Sequence, residues 1–141
     1  MSENTSLESI FRLVHTLKRQ MSEQIESLDC DVAPMHIRVM KIITKRAPCT
    51  SIDIANLLSR DKAQVTRLIN TLISEGLLEK APNPEDKRSH FLILTSAGET
   101  IMSKVAEIDK AMLLQMTAGI DKQDLTKFAA VADAMTDNLT N

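Results

Sequence analysis

The chain has no tryptophan and no tyrosine, only three phenylalanines, three glycines and two cysteines. Each shortage removes a class of protein. Three glycines cannot supply the phosphate loops of nucleotide-binding enzymes, and no P-loop, G-x-G-x-x-G or G-x-S-x-G stretch is present. No catalytic residue is assigned, and the chain is not read as an enzyme. Cys30 and Cys49 are too few for a disulfide framework, form no C-x-x-C, and suit a reducing compartment. His15, His36 and His90 are scattered, with no H-x-x-x-H, so neither a metal site nor a cofactor is expected. No apolar run approaches the ~18 residues of a membrane span. No basic-then-apolar signal pattern opens the sequence. The expectation is a cytoplasmic protein with no membrane partner.

What is present is one globular domain's worth of chain: 141 residues, 43% of them hydrophobic. The net charge of −2 argues weakly against nucleic acid, but its distribution reverses that. Residues 34–94 hold 10 Lys/Arg against 6 Asp/Glu, net +4, while the remainder holds 7 against 13, net −6. Such asymmetry suits one half facing a polyanion and another facing solvent.

The basic half contains the stretch that organises the chain, Thr50 to Leu94. Thr50-Ser51-Ile52-Asp53 is a capping-box start, with Asp53 reaching back toward the cap. Ile52, Ala55 and Leu58 follow at helical spacing, and Ile54 and Leu57 widen the apolar face. Ser59-Arg60-Asp61 breaks the pattern and offers a new cap at Ser59 or Asp61. A second helix runs to about Glu75, with Val65, Leu68, Ile69 and Leu72 as its buried stripe and Gly76 as its stop. Its other face carries Lys62, Ala63, Gln64, Thr66, Arg67, Asn70 and Thr71, with no acid between Asp61 and Glu75. A helix entering a major groove must keep carboxylates from phosphate and offer Arg, Gln or Asn to base edges. Arg67 is the candidate base reader; Lys62, Thr66 and Asn70 are candidates for phosphate or groove-edge contacts. Two strands follow, Leu77–Ala81 and Phe91–Leu94, around a turn-forming loop with a basic tip. Lys87 and Arg88 on that tip suit a minor groove. Asp86 is expected to pair with an arginine, Arg88 being one candidate, and to aim it.

The flanks read as helix. From Ser6 to about Leu28 an apolar stripe runs Leu7, Ile10, Phe11, Val14, Leu17, Met21, Ile25, Leu28. It is longer than a small lobe covers, which suggests a subunit interface in its first half; a long intramolecular core helix is the alternative. Pro34 opens a supporting helix with Ile37, Met40 and Ile43 inward, ended by Ala47-Pro48. Thr95 or Ser96 caps a further helix carrying Ile101, Val105, Ile108, Met112 and Met116, with Glu99 at the capping-box position relative to Ser96. Asp121 caps the last, which holds Leu125, Phe128, Ala132, Met135 and Leu139. These C-terminal helices are expected to interleave with the first helices of both subunits.

Four segments together carry a family resemblance: Asp61-Lys62-Ala63-Gln64-Val65-Thr66-Arg67, Glu75-Gly76-Leu77-Leu78, Asn83-Pro84-Glu85-Asp86-Lys87-Arg88, and Leu94-Thr95-Ser96-Ala97-Gly98. The chain resembles the MarR family of bacterial winged-helix regulators from about Val32 to Glu99, most specifically in the wing's D-x-R and the following L-T-x-x-G. Lys80 departs from it, where relatives often carry arginine, which is expected to soften a phosphate contact. The resemblance implies a mainly α fold with a small β-hairpin wing, in one MarR-like domain spanning 1–141. Its winged helix-turn-helix lobe is about 34–94; the dimerisation helices are about 6–30 and 96–141. It implies a homodimer on double-stranded DNA, usually a repressor on a palindromic operator, with the positions of Ala63, Gln64 and Arg67 near bases and that of Arg88 in the minor groove. The rival reading is a winged-helix protein-interaction module that binds no DNA, and the acid-free face and basic wing argue against it. Family effectors, often phenolic or aromatic anions, bind between dimer helices and lobe. A small-molecule effector is therefore a further partner to test, although three phenylalanines poorly equip an aromatic pocket. The eight methionines read as core before they read as a pocket lining. Redox sensing is the other family theme: Cys49 has Lys45 and Arg46 nearby, and Cys30 lies between Asp29 and Asp31. Each reads first as a bystander thiol.

Overall fold

The computed structural model describes residues 4–28 and 31–141; Cys30 and Asp29 lie outside the described residues. Six helices and two strands follow in the order α1 (Asn4–Glu26), α2 (Pro34–Lys45), α3 (Ser51–Leu58), α4 (Lys62–Ser74), β1 (Leu78–Pro82), β2 (His90–Leu94), α5 (Ser96–Met116) and α6 (Lys122–Thr140). No helix among the described residues is long and apolar enough to cross a membrane. The chain divides into two compact units, Met1–Ile108 and Asp109–Asn141.

The first unit holds the helix-turn-helix and wing. Its core is built from every element: Ile25 of α1, Val39 and Met40 of α2, Ile54 of α3, Val65 and Leu72 of α4, Leu78 and Leu92 of the hairpin, and Val105 of α5 are all buried. Each such side chain contributes about 1.5–3 kcal/mol by leaving water. The strands are antiparallel, with Leu78 opposite Leu94 and Lys80 opposite Leu92. Leu92 also donates its N–H to the Cys49 carbonyl at 2.9 Å, which ties the segment before α3 to the wing.

Helix starts follow local chemistry. Thr50 and Asp53 form the expected capping box: the Asp53 N–H donates to Thr50 Oγ1 at 3.3 Å and the Thr50 N–H to Asp53 Oδ2 at 3.0 Å. For α4 the choice between Ser59 and Asp61 falls to Asp61, whose Oδ1 accepts from the Ala63 N–H at 3.2 Å. Ser59 instead ends α3 with a left-handed backbone, φ 51°. Thr95, not Ser96, caps α5, its Oγ1 accepting from the Gly98 N–H at 3.1 Å. Asp121 occupies the cap position of α6 but makes no side-chain capping bond.

The apolar face of α3 differs from its sequence pattern. Ile54 is its buried residue, while Ile52 is 51% exposed and Leu57 is exposed as well. Ile52 and Ile54 lie two residues apart, roughly 200° around the helix axis, so one α3 cannot bury both against the same neighbours. Contacts with α4, α2 and β2 select Ile54.

His36 caps α2 from inside the helix, its Nδ1 accepting the Ala33 N–H at 2.9 Å. Burial lowers its pKa, and nearby Glu75 partly opposes that. The capping role needs the ring neutral. A lowered folded pKa means the contribution is whole above histidine's ordinary ~6.5 and is lost as pH falls toward the folded value. The melting temperature should therefore fall as pH drops below about 6.5, and His36→Gln, an uncharged acceptor, should flatten that fall. An equal slope in the variant would remove His36 as its source.

The second unit contains the end of α5, a turn at Gly119 (φ 75°) and α6. No residue of α6 is buried. Phe128 is 58% exposed, and Val131, Met135 and Leu139 are exposed beside it on the helix. In the first unit, Leu7, Ile10, Phe11 and Val14 of α1 are exposed in the same way. Met40 is core, Met102 packs against it, and Met116 and Met135 are exposed.

Candidate nucleic-acid interface

Helix α4 presents two exposed strips beside its buried Val65, Ile69 and Leu72. Lys62, Thr66 and Asn70, four residues apart, face the wing and line a cleft of about 220 Å³. Ala63, Gln64 and Arg67 are exposed outside that cleft. One strip therefore flanks a groove while the other stands free to meet a flat or convex partner.

The opposite wall of the cleft comes from the wing, through Lys80, Arg88, Ser89 and His90. Ser51 and Ile52 of α3 line it as well. Lys62, Lys80 and Arg88 thus share a cleft whose lining contains no carboxylate. Three cations so gathered repel one another, and a polyanion laid across the mouth would relieve that repulsion. Lys87 is exposed on the wing tip and does not line the cleft.

Thr66 has less to offer than its residue type suggests. Its hydroxyl already donates to the Lys62 carbonyl at 2.9 Å, inside the helix. Left for an external partner are the oxygen's two lone pairs and a methyl group, which suit a base donor or a thymine methyl better than phosphate.

Asp86 orders the wing differently from the expected ion pair. Its Oδ1 accepts from the main-chain N–H of Arg88 at 3.0 Å, while its carbonyl accepts from Ser89 at 3.2 Å. Asn83 makes the matching turn before it, Oδ1 accepting from the Glu85 N–H at 3.1 Å. Asp86 therefore shapes the loop backbone from which Arg88 projects and leaves the guanidinium free of that bond. Short acceptor side chains reaching two residues ahead are what Asn and Asp bring to turns.

Nothing in their residue types marked Ser51, Ile52, Ser89 or His90 for the cleft, whereas Lys80 already stood at a position the family resemblance ties to a phosphate contact. For Lys80 the signal was available. Alternation along β1 puts Lys80 on the same face as buried Leu78, and its cross-strand partner Leu92 is buried too. Lys80 is exposed and lines the cleft from that face.

Cys49 is buried at the base of the unit. Its pKa is raised, first by burial and then by Asp53; Arg46 pulls the other way and is outweighed. The basic neighbours do not make it a reactive thiolate, because loss of solvent disfavours the charged form.

Comparison with known proteins agrees with this architecture. The MarR family profile matches residues 34–90, the stretch from α2 to the start of β2. The multiple antibiotic resistance protein MarR of Escherichia coli is 30% identical over 101 residues, 69% of each chain. Among solved structures, a cysteine-to-serine mutant of E. coli MarR complexed with operator DNA superposes with a TM-score of 0.75 at 22% identity, covering 96% of this chain and 99% of that one. The S. aureus MepR–DNA complex gives 0.80 at 19% identity, covering 93% and 96%. The fold is theirs, the profile falls on the helix-turn-helix and wing, and the identity to MarR extends beyond both: this chain belongs to the MarR family.

Proposed function

We propose that the chain is a DNA-binding transcriptional regulator that acts as a homodimer on a palindromic operator and represses by occupying it. One observation carries the proposal: Lys62, Lys80 and Arg88 share a carboxylate-free cleft beside an acid-free, exposed helix face. Phosphate neutralises the cleft, and the free strip of α4 reads bases. Arg67 is the base reader in this proposal, flanked by Ala63 and Gln64. Lys62 and Asn70 hold the groove edge with Thr66 beside them, and Lys87 and Arg88 reach the minor groove from a tip shaped by Asp86. Support comes from family membership and from the DNA complexes of MarR and MepR. A second copy of the chain is the proposed cover for the exposed apolar residues of α1 and α6, and two-fold symmetry then sets half-sites one turn apart, ~34–36 Å. Control by a small molecule that releases the DNA belongs to the same reading.

The test is selection from fragmented genomic DNA by the purified chain at low and moderate salt. The expected result is enrichment of an inverted repeat with that spacing, retained less as salt rises because phosphate contacts release counterions. Candidate effectors are then added to the bound DNA. No enrichment at either salt would overturn the proposal and leave a protein-binding winged helix.

A further inference from the structure

His90 lines the cleft between α4 and the wing, and the docking above gives it no task. It opens β2, opposite Pro82 at the end of β1. Alternation along the strand sets it on the face of buried Leu92, while Ile93 is exposed on the other face. The side chain is exposed and stands in the cleft lining. Lys62 enters that lining from α4, Lys80 from β1 and Arg88 from the loop; α3 adds Ser51 and Ile52, which carry no charge. Asp53, Asp61, Glu79, Glu85 and Asp86 stand in the same elements or the turns beside them, and none of them lines the cleft. Lysine and arginine keep their charge near neutral pH. An imidazole, ordinarily with a pKa of ~6.5, is the side chain that gains its charge between about pH 8 and pH 5. In this cleft no carboxylate is placed to pair with that charge. A phosphate would be.

We infer that His90 is a fourth phosphate-binding group of the cleft, one that takes up a proton as DNA binds. The inference rests on the DNA-binding reading and adds to it a contact whose charge follows pH. Both ring nitrogens of a histidinium donate hydrogen bonds, whereas the neutral ring donates one. A phosphate beside the ring favours the charged form, and by linkage the proton favours the phosphate equally. Binding therefore tightens as pH falls through the histidine range. It also becomes more sensitive to salt, because each protomer then neutralises one phosphate more. At ~0.9 per phosphate, the salt slope should steepen by about 2 per dimer.

The test titrates the full chain with two duplexes of equal length, the inverted repeat enriched by wild type and a random sequence. Each titration is run over a range of salt at pH 8.5 and at pH 6. The wild-type slope of log affinity against log salt should be steeper by about 2 at pH 6, on both duplexes, since phosphate contacts carry no sequence information. His90→Gln should hold one slope at both pH values, and His90→Arg should hold the steeper slope at both. His36→Gln changes a histidine outside the cleft lining and should steepen as wild type does. Three results overturn the inference: a wild-type slope that ignores pH, His90→Gln steepening as wild type does, or His90→Gln and His90→Arg losing all DNA binding alike, as a damaged wing would. Wild type binding neither duplex at either pH overturns the DNA-binding reading itself, and the inference with it.

Discussion

Val131→Asp should convert a dimer into monomers and remove operator binding, while leaving the fold of each chain intact. Val131 lies on α6, none of whose residues is buried within one chain. Phe128, Val131, Met135 and Leu139 are exposed together on that helix. A carboxylate at an exposed position costs the isolated chain little. In a dimer that covers this face it is a buried, unpaired charge, worth ~3–5 kcal/mol against the assembly. Two copies enter each dimer, so association should weaken by about 10⁴-fold or more. Sedimentation equilibrium reads this directly, and the melting temperature of wild type, unlike that of the variant, should rise with protein concentration. A variant that sediments as wild type does would take α6 out of the interface.

The second large effect concerns DNA and separates two arginines. Arg67 stands on the free strip of α4, outside the cleft, where a planar fork can grip guanine. Its removal should cost ~1–3 kcal/mol of discrimination at one base pair of each half-site. Operator and point-substituted operator should then bind Arg67→Ala almost alike. Arg88 shares the cleft with Lys62 and Lys80, so the proposed docking gives it backbone and groove potential to work on. Arg88→Ala should weaken all sequences together and reduce the salt slope by about 2 per dimer, because each protomer then neutralises one phosphate fewer. Titrations at several salt concentrations distinguish the two. Equal binding of operator by both variants and wild type would sink the docking.

Much of this was legible before any coordinates because it depends on neighbours in sequence. The box of Thr50 and Asp53, the stop at Gly76, the stripe Val65-Ile69-Leu72 and the turn chemistry of Asn83 and Asp86 all act within a few residues. So does the acid-free face of α4, which needs only helical periodicity to recognise. The family follows from the same local segments.

The tertiary structure decided the questions that neighbours in sequence leave open. Thr95 and Ser96 are equally good caps on paper. A carbonyl 19 residues earlier selects Thr95, by accepting its hydroxyl. Ile52 and Ile54 are equally apolar, and the packing of α3 against α4 and β2 buries one and leaves the other exposed and lining the cleft. Asp86 bonds a main-chain N–H where an ion pair was expected, because the loop brings that donor within reach of a short side chain. Lys80 becomes a third cation of the site only when the hairpin folds over α4. The sequence by itself determined the elements, the capping box of α3 and the family. Which side chains converge on the cleft was left to packing, since convergence depends on distances between segments far apart along the chain.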